Sequence, residues 1–205
     1  MTKFRILHGP GTSSIPPTAG LTTISATGDL RVEAGPQARL FEFSDGLKIL
    51  AVGTLVGRRT ESGRLVSIES QRAFLSGLVR DLPPARWAGQ IEGDLVLCAI
   101  KADGVVTLSG DRFFKRDVYL QQGKGIVCLA SDLDLLPTNP AASGYDQSAL
   151  AHTLTYYGHR PPKKHTIYNS VRRLSPGDIA SVDQDGLHVA NTPFDPVPTR
   201  EYTEE

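Results

Sequence analysis

The 205-residue chain balances 22 Lys and Arg against 22 Asp and Glu, so its formal charge is zero; 40% of its residues are hydrophobic. That length suits one domain or one domain plus a tail, and without a long basic run there is no electrostatic footprint for nucleic acid. No apolar stretch approaches the ~20 residues of a spanning helix, and the start, MTKFRILHGPG, carries no secretory apolar segment, so no membrane association is expected and cytoplasm is the expected compartment.

Residues 2–7, Thr-Lys-Phe-Arg-Ile-Leu, alternate polar and apolar up to Ile6, which predicts a half-buried first strand. Residues 9–20 are too rich in Gly, Pro and Ser for a regular element. Leu21–Ser25 and Leu30–Val32 read as strands broken at Thr27-Gly28-Asp29, and Arg39–Phe43 as another. Asp45-Gly46 then opens Leu47–Val56, a central strand. Phe74, Leu75, Leu78, Val79 and Leu82 recur at helical spacing. They predict a helix over Glu69–Leu82, capped by Ser67 or Ser70 and ended by Pro83-Pro84.

Four short apolar runs follow, Ile91–Ile100, Val105–Leu108, Val118–Leu120 and Ile126–Ala130, and they read as an antiparallel meander. Both alternating sets of Leu95–Ile100 are apolar, so this sheet is expected to lie between a helical layer and a second sheet. Asp146 is a good N-cap for a second helix, Gln147–Tyr157, whose stripe is Ala149, Leu150, Leu154 and Tyr157. Ile91, Leu95, Leu97, Leu129, Leu150 and Leu154 are the expected core. Ile179–Val182 and Leu187–Val189 flank Asp183-Gln184-Asp185-Gly186, a hairpin signature. The chain therefore divides into a domain over 1–191 and a Pro-rich linker or tail over 192–205.

Cys98 and Cys128 sit inside apolar runs without CxxC spacing and read as buried small hydrophobes that could be neighbours across the meander. His152, His159 and His165 read as surface or capping groups, because no thiol or carboxylate motif accompanies them, and no metal site is expected. Lys163-Lys164 and Arg172-Arg173 read as solvated surface, and Asp111-Arg112 as an ion pair within a turn.

The stretch GDLVLCAI, ten residues, DRFFKRDVY and then CLASDLDLL resembles the amino-terminal glutaminase domain of the asparagine synthetase family. The resemblance continues from Asp146 to Asp183, through the Pro-rich turn, Thr166-Ile167, and Val171-Arg172-Arg173-Leu174-Ser175-Pro176-Gly177. It implies an α+β fold, the four-layer αββα sandwich of the N-terminal-nucleophile (Ntn) hydrolases. It also implies an active site built from a cysteine at position 2, an Asn-Gly pair of oxyanion donors, and an Asp that holds the substrate amine.

This sequence departs from the pattern at each point. Thr2 stands at the nucleophile position and is small enough for Met1 to be removed. Gly53 and Thr54 fall where the Asn-Gly pair belongs. Ile68 falls at the Asp, with Glu69 one residue along. This pattern of departures resembles the amino-terminal domains of β-lactam and carbapenam synthetases, relatives in which the glutaminase half serves as structure. The resemblance thus implies a catalytically silent glutaminase-like domain that pairs with an ATP- and Mg²⁺-dependent synthetase domain or subunit. No cofactor is expected in this chain itself, which lacks the Ser-Gly-Gly-x-Asp-Ser loop of that half. Two rival readings are an Ntn amidohydrolase that uses Thr2, and a stand-alone binding module that reuses a pocket of Gly53, Thr54 and Glu69.

Overall fold

The computed structural model describes residues 3–60, 62–157 and 164–192. Thr2, His159, Pro161, Pro162, Lys163 and the tail from residue 193 lie outside the described residues. The strands are β1 (Phe4–His8), β2 (Thr22–Thr27), β3 (Leu30–Ala34), β4 (Arg39–Glu42), β5 (Lys48–Arg59), β6 (Leu65–Val66) and β7 (Ile91–Ile100). They continue as β8 (Val106–Gly110), β9 (Tyr119–Gly123), β10 (Ile126–Ala130), β11 (Val171–Arg173), β12 (Asp178–Asp183) and β13 (Gly186–Asn191). The α-helices are α1 (Gln71–Asp81), α2 (Trp87–Gln90) and α3 (Gln147–His152).

The strands form two antiparallel sheets. One runs β11-β9-β10-β1-β3-β2, and the other β13-β12-β8-β7-β5-β4 with β6 paired to β5. Their inner faces share one core. Phe4, Ile6, Val32 and Leu129 from the first sheet meet Leu50, Val52, Val96, Cys98, Leu108 and Val182 from the second. The alternation of β5 and β7 sends Ile49, Ala51, Leu95 and Leu97 to the opposite face, where Leu75 and Leu78 of α1 and Trp87 of α2 cover them. The central strand is therefore apolar on both faces because both faces are dry. Ser70 caps α1 by accepting from the Ala73 N–H at 3.3 Å. The indole of Trp87 donates to the Leu82 carbonyl at 3.1 Å and ties α2 to the end of α1.

The other outer face, on the six-stranded sheet, is covered differently. Leu7, Cys128 and Ala130 pack under Leu135, with Ile15 and Leu21 alongside. Beside them Arg5, Arg31 and Glu33 are buried together. Arg5 Nη2 and Arg31 Nε lie 2.7 and 3.1 Å from the Glu33 carboxylate, and Arg5 also donates to the Pro16 carbonyl at 3.0 Å. The first strand is thus buried on both faces rather than half-buried, because its polar side is internally paired. Removing one member of a buried charge network leaves the others uncompensated, typically at about 3–5 kcal/mol.

The four apolar runs do not form one meander. β7 and β8 belong to one sheet, β9 and β10 to the other, and residues 111–118 carry the chain across. Asp111, 2% exposed, holds this crossing. Its carboxylate accepts from the N–H groups of Phe113 at 3.0 Å and Lys115 at 3.3 Å, so it works as a turn cap rather than as half of an ion pair. Phe114 adopts φ 47°, a left-handed conformation that a bulky residue rarely takes, and its ring is buried in the inter-sheet core. Gly110 makes room: a Cβ there would lie 2.7 Å from the ring. Cys98 and Cys128 fall in different sheets and different cores, so they are not neighbours.

Two further expectations change. The second helix is α only to His152 and continues as a π-turn over Thr153–Tyr157. The wider turn breaks the i, i+4 stripe, so Ala149 is buried, Leu150 half-buried, and Leu154 74% exposed. Arg173 is buried, not solvated. It alternates with exposed Arg172 on β11 and pairs with Asp117 at 3.5 Å. The β12–β13 hairpin forms as its turn predicts, with Asp183 Oδ1 accepting from the Asp185 N–H at 2.9 Å. No helix among the described residues is long and apolar enough to cross a membrane.

Two measurements check this core. Leu97, fully buried between β5, α1 and α2, should cost about 2–5 kcal/mol as Leu97→Ala in urea unfolding. Burial alone pushes the Cys98 thiol up to about 12, and burial chiefly does the same at Cys128. Both thiols should therefore resist alkylation in the folded protein and react on unfolding. A raised native pKa also stabilises only while the unfolded thiol keeps its proton. Stability should be intact below the ordinary thiol value of 9.0 and decline as pH climbs from there toward 12.

Candidate functional site

Gly53 and Thr54 lie on β5 where it pairs with Leu95 and Asp94 of β7. His8, the last residue of β1, lines the same cavity as Asp103 and Asp183. The Lys48 end of β5, next to the 101–104 turn, therefore shares that end of the sandwich, and Gly53 lies toward the end where β1 begins. This is the end that the nucleophile reading needs.

The backbone there is closed. Gly53 has φ +116°, and a Cβ on it would sit 2.0 Å from the Asp94 carbonyl oxygen and 2.4 Å from Arg116 Nε. The guanidinium of Arg116 reaches back from the crossing segment. Its Nε donates to the Asp94 carbonyl at 3.2 Å and lies 3.0 Å from Asp94 Oδ1. Lys115 Nζ donates to the Gly93 carbonyl at 2.8 Å. The two cations thus tie the crossing segment to the start of β7, beside Gly53 of β5, and the space of any side chain at position 53 is already taken. Thr54 is exposed beside this lock.

Ile68 and Glu69 do not join them. Arg58, five residues along β5 and so roughly 16 Å away at the rise of a strand, pairs with Val66 of β6. Ile68 and Glu69 follow β6 and line a separate cleft of about 690 Å³ with Arg58, Phe74, Leu78 and Leu82, along the side of α1. Ile68 is half-buried and Glu69 exposed. Neither Gly53 nor Thr54 lines that cleft, so the structure splits the four candidate residues into two places. Thr2, the remaining candidate, lies outside the described residues.

Sequence reasoning missed Arg116 and Asp94. A basic residue in the Asp-Arg turn was visible, but its partner stands 22 residues away. The nearest signal was Gly93-Asp94, two poor strand formers at the head of an apolar run. Of the histidines, His165 is exposed and 4.0 Å from Asp146, the cap of α3. Among the described residues no group of three or more His, Cys, Asp and Glu is arranged to hold a metal ion.

The lock makes a direct prediction. Gly53→Asn should cost at least about 2 kcal/mol in chemical unfolding, from a left-handed backbone and an overfilled site. Thr54→Asn, one exposed residue further, should stay within about 0.5 kcal/mol.

No family model and no curated protein matches the sequence. Among solved structures, the chain is similar to glutamine phosphoribosylpyrophosphate amidotransferase from B. subtilis complexed with ADP and GMP, at 10% identity and a TM-score of 0.47. It is also similar to a structure described as the allosteric regulatory enzyme of purine biosynthesis, at 11% identity and a TM-score of 0.47. Each match covers 92% of this chain and 42% of the other, so the chain spans less than half the length of either.

Proposed function

We propose that the chain is a glutaminase-like domain of the class II amidotransferase type, with the four-layer sandwich of the Ntn hydrolases, and that it has lost glutamine chemistry. In this reading it is cytoplasmic. It serves an asparagine-synthetase-like domain or subunit that activates a carboxylate with ATP and Mg²⁺ and couples it to an amine, forming an amide or lactam. Residues 192–205 are a Pro-rich linker or tail. The family-like segments from Gly93 to Asp183 support the type.

The single observation that supports silence is at Gly53. The position that corresponds to the oxyanion asparagine is a left-handed glycine whose Cβ space is filled by the Asp94 carbonyl and Arg116. A missing oxyanion donor is worth about 2.7–4 kcal/mol in the transition state. The Nε of Arg116, which fills that space, is directed at Asp94. A threonine hydroxyl at position 2 supplies far less nucleophile than a thiolate, because almost none of it is ionised at neutral pH. The cleft holding Ile68 and Glu69 lies away from Gly53, so neither residue stands by to hold a substrate amine at this end.

The test is release of glutamate from glutamine by the purified protein, with intact mass to establish whether Met1 is removed. The expected result is background rate for the wild type and for Thr2→Cys with Met1 removed. Turnover by the wild type that disappears in Thr2→Ala would defeat the proposal.

A further inference from the structure

Among the described residues the two sheets leave four strand edges, and three of them are guarded. An exposed edge is a template for another strand, and proteins blunt it with charge, shortness, proline or a bulge. β4 has four residues with Arg39 and Glu42 at its ends, and Arg72 of α1 donates to the Glu42 carbonyl. β2 is irregular, its register against β3 shifting between Thr23 and Ser25. β11 has three residues, of which two are arginines.

β13 has none of these devices. Its six residues, Gly-Leu-His-Val-Ala-Asn, contain no proline, no lysine and no carboxylate. They pair with β12 without interruption from Gly186 to Asn191. Among the described residues nothing pairs its outer side. Val189 is 45% exposed there. Val189 and Asn191 also line a cavity of about 540 Å³ that opens between β13 and the edge strand β11, so the inner side of the edge has unfilled room.

We propose that β13 is an interface, and that its occupant is β13 of a second copy of this chain. An antiparallel edge is its own complement when a two-fold axis stands perpendicular to the sheet. That axis keeps inner faces together, so residues of like orientation oppose. Centred on Val189, it sets Val189 against Val189, His188 against Ala190 and Leu187 against Asn191. No like charges meet, and with 22 positive and 22 negative side chains the chain as a whole has no net repulsion to overcome. The joined sheets bury the exposed valine and pair the open backbone groups. A ladder this short buries less than a standard interface, so the association is weak and concentration-dependent, in the range of about 1–100 µM.

Sedimentation velocity of the full chain across that range tests it. The expected result is a reversible monomer–dimer equilibrium. Val189→Lys and Ala190→Lys should each weaken it at least about tenfold by setting ammonium groups at the seam, with far-UV circular dichroism unchanged. Two variants are used so that one that misfolds does not decide the matter. A wild type that stays monomeric throughout, or a dimer indifferent to both lysines, overturns the proposal. So does a full chain that is monomeric while a chain ending at Thr192 dimerises, because the edge is then covered by residues 193–205.

Discussion

The antiparallel pairing of β5 and β7 is the constraint on which the rest of the molecule depends. It runs unbroken from Lys48–Ile100 to Leu55–Gly93, and both faces of both strands are apolar. Such a ribbon cannot rest on one layer. It draws the six-stranded sheet to one side and α1 and α2 to the other, since a leucine left in water forfeits about 1.5–3 kcal/mol. Because the same ribbon sets where Gly53 meets Asp94, the hydrophobic pattern also decides where the polar lock of Arg116 forms.

The two outer faces solve the same problem by different means. The seven-stranded sheet is sealed by aliphatic side chains and Trp87. The six-stranded sheet is sealed partly by charge, with two arginines around Glu33 and backbone carbonyls taking the surplus donors. The first solution is tolerant, since hydrophobic residues of similar volume can exchange. The second is exacting, since each charged partner is needed by the others.

Much of the fold was legible because local patterns and burial agree. Ile91, Leu95, Leu97 and Leu129 are in the core as their runs require, and α1 ends at its prolines. What failed were features that depend on residues far apart. Alternating apolar runs do not say which sheet a strand joins, so the crossing at Asp111–Val118 read as one more turn. Arg5 and Arg173 read as wet because their partners, Glu33 and Asp117, are 28 and 56 residues away. Leu154 read as core because the i, i+4 rule presumes an α-turn that the chain does not keep. At the candidate site the sequence indicated a missing side chain at position 53. It could not indicate that the Asp94 carbonyl and Arg116 occupy the space beside it.

That occupation constrains which residues position 53 can accept. A glycine with open space beside it can take a side chain by a single substitution. Here the Asp94 carbonyl lies within 2.0 Å of where a Cβ would be, and that oxygen is backbone, which no other substitution removes. A side chain at position 53 therefore requires a displaced strand. Selection for folding alone therefore keeps position 53 as glycine. Glycine is held there by the stability of the sheet, independently of any chemistry the domain performs.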